Sequence, residues 1–100
     1  MTQLIVFGGN AKDVKVLLDM VEEITQLGEK VVLLLIHGAC EFAVDQNFCE
    51  EVWRHGADLY VLGEDLTQGP PDRVIDGIRI VNYDGWVKFL EDCEKVFSWT

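Results

Sequence analysis

One run of six apolar residues, Val31-Val32-Leu33-Leu34-Leu35-Ile36, most constrains what this chain can become. Successive residues of a strand point to opposite faces, so a run with no polar alternate is apolar on both. Such a strand belongs in the middle of a sheet covered on both sides, the arrangement of a parallel sheet wrapped by crossover helices. The run is also far too short to cross a bilayer, which takes about 20 residues as a helix.

The flanking sequence supplies the rest of that sheet. Leu4-Ile5-Val6-Phe7 reads as a first strand closed by the turn signal Gly8-Gly9-Asn10. Val14, Leu17, Leu18, Val21 and Ile24 recur at helical spacing, with Lys12, Asp13, Lys15, Asp19, Glu22 and Glu23 largely on the other side. Gly28 is suited to end that helix as its C′ residue. A second helix is predicted from about Phe42 to Arg54, and Leu59-Tyr60-Val61-Leu62 is a third strand. Gly69-Pro70-Pro71 marks a loop, since proline has no N–H to donate. Ile78 to Val81 reads as a fourth strand. Tyr83, Trp86, Val87, Leu90 and Cys93 define a face of the last helix, and Val96-Phe97-Ser98-Trp99 is expected as an edge strand. Helix alternating with strand over 100 residues predicts one domain, residues 1–100. Its expected class is α/β, a small flavodoxin-like sandwich with a mainly parallel sheet of about five strands.

Charge narrows the function classes. Eighteen acidic against eight basic residues give a formal net charge of −10. A chain this acidic repels phosphate and lacks the basic stripe of a nucleic-acid or anionic-membrane binder, so neither partner is expected. Hydrophobic residues make up 49% of the chain, which is high for so small a domain and leaves apolar surface for a partner subunit. Three cysteines without a CxxC argue for a reducing compartment rather than a disulfide framework. With no signal-peptide pattern at the N-terminus, a cytoplasmic location is expected.

In open α/β sheets the working crevice lies at the carboxyl ends of the strands. That rule selects Gly8-Gly9-Asn10, His37-Gly38-Ala39-Cys40, Gly63-Glu64-Asp65 and Asn82-Tyr83-Asp84-Gly85. None is a nucleotide fingerprint, because GxGxxG and GxxxxGK[ST] are both missing. Gly8-Gly9 fits either an anion cradle or, more ordinarily, a tight strand-to-helix turn. Cys40 is the candidate catalytic residue, a persulfide site placed just ahead of the second helix, where N–H groups and the helix dipole favour a thiolate. Glu41 and Asp45 oppose that, and a space-filling buried thiol is the plainer reading. His37 stands in the same strand-end crevice, as half of a Cys–His pair or as a loop cap. Cys49 and Cys93 read as core. His37, Cys40, Cys49 and His55 match no zinc spacing, so no metal is expected, nor any cofactor. The acidic residues of the first helix read as a solvated face.

The seventeen residues from 83 to 99 hold Tyr83, Trp86, Phe89, Phe97 and Trp99. One helix and an edge strand scarcely bury five rings, whereas aromatic anchors are enriched at the centres of interfaces. Tyr83, Trp86 and Trp99 are therefore candidate subunit-interface anchors.

Two segments carry a resemblance. Leu59-Tyr60-Val61-Leu62-Gly63-Glu64-Asp65-Leu66 is similar to the third-strand segment of the DsrH/TusB family of sulfur-relay proteins. So is the ending, Ile80-Val81-Asn82-Tyr83-Asp84-Gly85-Trp86-Val87 through Cys93 to Ser98-Trp99. The resemblance implies a DsrE/F/H-type fold and a hetero-oligomer with DsrE/TusD-like and DsrF/TusC-like subunits. It also implies a TusE/DsrC-like acceptor, with persulfide sulfur passed toward tRNA 2-thiouridine or along dissimilatory sulfur oxidation. Some members carry a cysteine in the first helix; here Val16-Leu17-Leu18-Asp19-Met20 has none. Two other readings stand beside a mainly structural subunit: a persulfide-carrying sulfurtransferase acting through Cys40, and a flavodoxin-like module that binds a flavin or nucleotide.

Overall fold

A computed structural model describes residues 2–66 and 74–99. The expected Gly69-Pro70-Pro71 loop lies outside the described residues. Five strands, β1 (Thr2–Phe7), β2 (Lys30–Leu35), β3 (Asp58–Leu62), β4 (Arg79–Val81) and β5 (Lys95–Trp99), form one sheet in the order β4-β3-β2-β1-β5, with every neighbouring pair parallel. The six-residue apolar run is thus the central strand. Three helices connect them: α1 (Val14–Gln26), α2 (Gln46–Arg54) and α3 (Tyr83–Asp92). The chain is a small flavodoxin-like α/β sandwich.

Strand alternation divides the core in two. Ile5, Phe7, Val31, Leu33, Leu35, Leu59 and Val61 face α1 and α2, and are buried with Leu17, Val21 and Ile24 of α1 and Phe48, Cys49 and Val52 of α2. Leu4, Val6, Val32, Leu34, Ile36 and Leu62 face the other way, where, among the described residues, Trp86, Phe89 and Cys93 of α3 cover them, flanked by Tyr60 and Val81. The first four strands step outward from β1 in chain order. β5 then returns to the free side of β1, carried there by α3. The sheet order therefore reverses at β1, and the carboxyl ends of β1 and β5 flank the reversal point.

Local structure departs from expectation in one place. The second helical stretch is two elements: a 3₁₀ segment, His37–Val44, and then α2 from Gln46. Asp45 separates them by capping α2, its side chain accepting the Phe48 N–H at 3.2 Å. The 3₁₀ segment buries Ala39, Cys40, Phe42 and Ala43 against the α1/α2 face, so helical periodicity alone merges the two. α1 ends as expected, with Gly28 at φ +83°, a conformation that costs glycine nothing.

Candidate functional site

Parallel strands bring all four strand-end loops to one edge of the sheet, and hydrogen bonds link them in sequence across it. The Gly8 N–H donates to the Trp99 carbonyl at 2.6 Å, tying the end of β1 to the end of β5. Asp65 accepts the His37 N–H at 2.7 Å, tying the end of β2 to the end of β3. Glu64 accepts the Tyr83 N–H at 3.1 Å, placing a carboxylate at the positive end of α3. Asn82 caps the same helix by accepting the Gly85 N–H at 2.9 Å.

Two crevices open along this edge. One, of about 350 Å³ at the reversal point, is lined by Gly8, Gly9, Asp13, Gly38, Glu41 and Trp99. The other, of about 400 Å³, lies among Gly63, Glu64, Ile80, Asn82 and Gly85. The Gly8-Gly9-Asn10 turn is tight: a Cβ at Gly9 would stand 2.7 Å from an Asp13 carboxylate oxygen and 2.8 Å from the Phe7 ring. Asp13 also accepts the Asn10 N–H at 3.2 Å, so the chain's own carboxylate stands where an incoming anion would sit.

His37 is the one non-glycine among the described residues with a left-handed backbone, at φ +51°. Asp65 holds it there through the N–H bond and lies 3.6 Å from the imidazole Nδ1. The His37 side chain is 67% exposed while that of Asp65 is 18% exposed. The sequence marks Asp65 only as part of the strand-end stretch Gly63-Glu64-Asp65, with no role of its own. Its signal was local, an acidic pair directly after the third strand, but its partner lies 28 residues upstream and only the strand pairing joins them.

Cys40 sits in a different environment from the one its sequence position suggests. It is the fourth residue of the 3₁₀ segment, 5% exposed, and its thiol donates to backbone carbonyls, Leu35 O at 3.5 Å and Leu62 O at 4.0 Å. Acceptors favour the protonated thiol. Burial, reinforced by the negative charge of Asp65, pushes its pKa up to about 11. Cys49 is likewise buried, its thiol 3.6 Å from the Phe42 carbonyl, and burial followed by the charge of Asp45 raises it to about 11. Cys93 is partly exposed on the α3 side, with its pKa raised by burial and then by Glu94 and Asp92. Among the described residues no group of three or more His, Cys, Asp or Glu side chains is arranged to hold a metal.

The three aromatic candidates fall into two settings. Trp99 is half-buried, its ring edge-on to Phe7 with centroids 5.6 Å apart. Trp86 is half-buried against the sheet, and its indole N–H is closed off with no acceptor among the described residues. Tyr83 stacks beside Trp86 at 6.3 Å and is 51% exposed; Val87 and Leu90 are 51% and 46% exposed. At about 100° per residue, Tyr83, Val87 and Leu90 form a stripe roughly 90° around α3 from the Trp86-Phe89-Cys93 face that meets the sheet.

A family model described as DsrH like protein matches residues 11–96. The chain belongs to the DsrH family. A comparison with curated proteins gives no match. DsrH membership makes this chain a sulfur-relay subunit, of a kind that acts in a complex with other relay subunits. No helix among the described residues is long and apolar enough to cross a membrane. As a DsrH chain it offers that relay an exposed imidazole and an exposed apolar helix, and among its described thiols none has a lowered pKa.

Proposed function

We propose that this chain is the mainly structural subunit of a cytoplasmic, hetero-oligomeric sulfur relay. Its partners in this reading are DsrE/TusD-like and DsrF/TusC-like chains, with a TusE/DsrC-like protein as acceptor. Sulfur travels as a protein persulfide on the partners' cysteines, toward tRNA 2-thiouridine or dissimilatory sulfur oxidation. The observation that carries the reading is the apolar stripe Tyr83-Val87-Leu90, left bare on a helix whose other apolar face already meets the sheet. The edge strand adds exposed Val96 on the α3 face of the sheet, while exposed Phe97 beside it points to the opposite face. An exposed apolar stripe of this kind marks an interaction site, and aromatic anchors dominate the energetics of such sites. Tyr83 and Trp86 are the proposed anchors on α3, and Trp99 is the anchor at the rim of the reversal-point crevice.

Co-expression with DsrE- and DsrF-like chains, followed by size exclusion and mass measurement, tests this. A stable hetero-oligomer is expected, and a monomer that ignores both partners overturns the reading. Loading the complex with a persulfide donor is expected to add about 32 Da, one sulfur atom, to a partner cysteine. An adduct on this chain that disappears in Cys40→Ser would establish the sulfurtransferase alternative instead. The buried thiol of Cys40, held up to about 11, speaks against that outcome.

A further inference from the structure

The His37–Asp65 pair combines features that structure alone does not require. A non-glycine residue in the left-handed region is strained, and a glycine would adopt φ +51° without that strain. The strain is held by a single acceptor, Asp65, which also faces the imidazole Nδ1. That leaves Nε2 without a partner among the described residues, on a side chain that is two-thirds exposed. The pair stands at the carboxyl end of the central strand, the edge where open α/β sheets do their work. A backbone fixed by Asp65, a carboxylate 3.6 Å from Nδ1 and open space at Nε2 make an accessible proton acceptor beside a negative charge, with the thiol it would serve missing from this chain's described surface there. The nearest cysteine, Cys40, turns its sulfur inward to two carbonyls.

We propose that His37, oriented by Asp65, exchanges the proton of a cysteine thiol that a partner subunit presents at this edge during persulfide transfer. The proposal rests on the relay reading above. Neutral Nε2 takes the proton from R–SH, and the imidazolium is stabilised by the Asp65 carboxylate. The thiolate R–S⁻ attacks the outer sulfur of R′–S–SH. One S–S bond forms as the other breaks, giving R–S–SH and R′–S⁻, and the imidazolium returns its proton to R′–S⁻. Atoms and electrons balance with no outside oxidant or reductant. His37 is the catalytic residue in this scheme and Asp65 a positioning residue.

The test uses the co-expressed complex, loaded with glutathione persulfide, with sulfur movement between partner cysteines followed by mass spectrometry. His37→Asn and His37→Gly both suit a left-handed backbone, so both are expected to fold and assemble as the parent does. Each is expected to slow transfer by about tenfold or more, at the modest end of general-base effects. Added imidazole is expected to restore His37→Gly, which a purely structural histidine would not permit. Asp65→Asn keeps an acceptor for the His37 N–H but loses the charge, and is expected to give a smaller loss that imidazole does not restore. Parental transfer rates in both His37 variants would overturn the proposal while leaving the relay reading intact, as would losses that imidazole fails to repair. Failure of any complex to form would overturn both.

Discussion

The two faces of the sheet are finished to different degrees. On the α1/α2 face the chain supplies its own cover: two helices, the 3₁₀ segment and parts of the β3–β4 connection (Leu66, Val74, Ile75, Ile78) pack over the strands. Phe7 is fully buried at the carboxyl end of β1, with Trp99 edge-on at 5.6 Å and Phe42 6.3 Å away. On the other face α3 is the one helix among the described residues that packs over the strands. Its strands are buried, yet α3 itself contributes no fully buried residue, one indole N–H is shut away without an acceptor among the described residues, and half of its apolar arc faces outward. Burial of apolar area stabilises at about 25 cal/mol per Å² wherever it occurs, so an arc left bare by the fold is stabilisation still available to an assembly. The first face holds the monomer together, and the second is where a subunit interface is expected.

The sharpest way to break this contrast is to damage each face and compare what fails. Phe7→Ala removes the ring that Trp99 and Phe42 pack against. It is expected to cost about 3–5 kcal/mol in urea unfolding, enough to threaten the fold. Val87→Glu on the exposed stripe is expected to leave the monomer's unfolding curve within about 0.5 kcal/mol of the parent. The same change is expected to weaken assembly by about 2 kcal/mol, on the order of 30-fold in affinity. A stable complex with Val87→Glu would remove α3 from the interface. Asn82→Ala, which deletes the α3 cap, is expected to cost about 1 kcal/mol and to fray the exposed helix first in hydrogen exchange.

The smallest effect at neutral pH concerns the thiols. Cys40 and Cys49 lie on the sealed face and Cys93 on the open one, so alkylation of the native protein is expected to modify Cys93 well ahead of the other two. The folded protein raises Cys40 and Cys49 from 9.0 to about 11, which means it favours their protonated forms. Their contribution to stability is therefore fully present below pH 9 and lost as pH rises toward 11. The urea midpoint is expected to fall over that window, and to fall less in Cys40→Ala/Cys49→Ala measured against its own value at neutral pH.

Much of the fold was legible because apolar pattern and burial are the same information. The Val31–Ile36 run named the central strand, the spacing from Val14 to Ile24 named α1, and Val96 to Trp99 was placed at an edge. The break between the 3₁₀ segment and α2 was not legible. Ala39, Phe42 and Ala43 are apolar at spacings that a helix and a 3₁₀ turn share, and the Asp45 cap is visible only once its contact with Phe48 is formed. The candidate site was legible by residue but not by role. His37 and Cys40 were both marked by position, yet the orientation of each side chain separates them: one imidazole out, one thiol in.

The sequence by itself determined the layers, the parallel sheet, the acidity and the aromatic excess at the end of the chain. Each follows from composition or from a repeat of two or about 3.6 residues that any local stretch carries. Only the tertiary structure decided that Asp65 meets His37, that Cys40 faces two carbonyls, and that α3 packs on the face opposite α1 and α2. Those facts depend on which strands become neighbours and where the order reverses. The free energy that sets them comes from contacts between residues far apart in the chain, which no local pattern records.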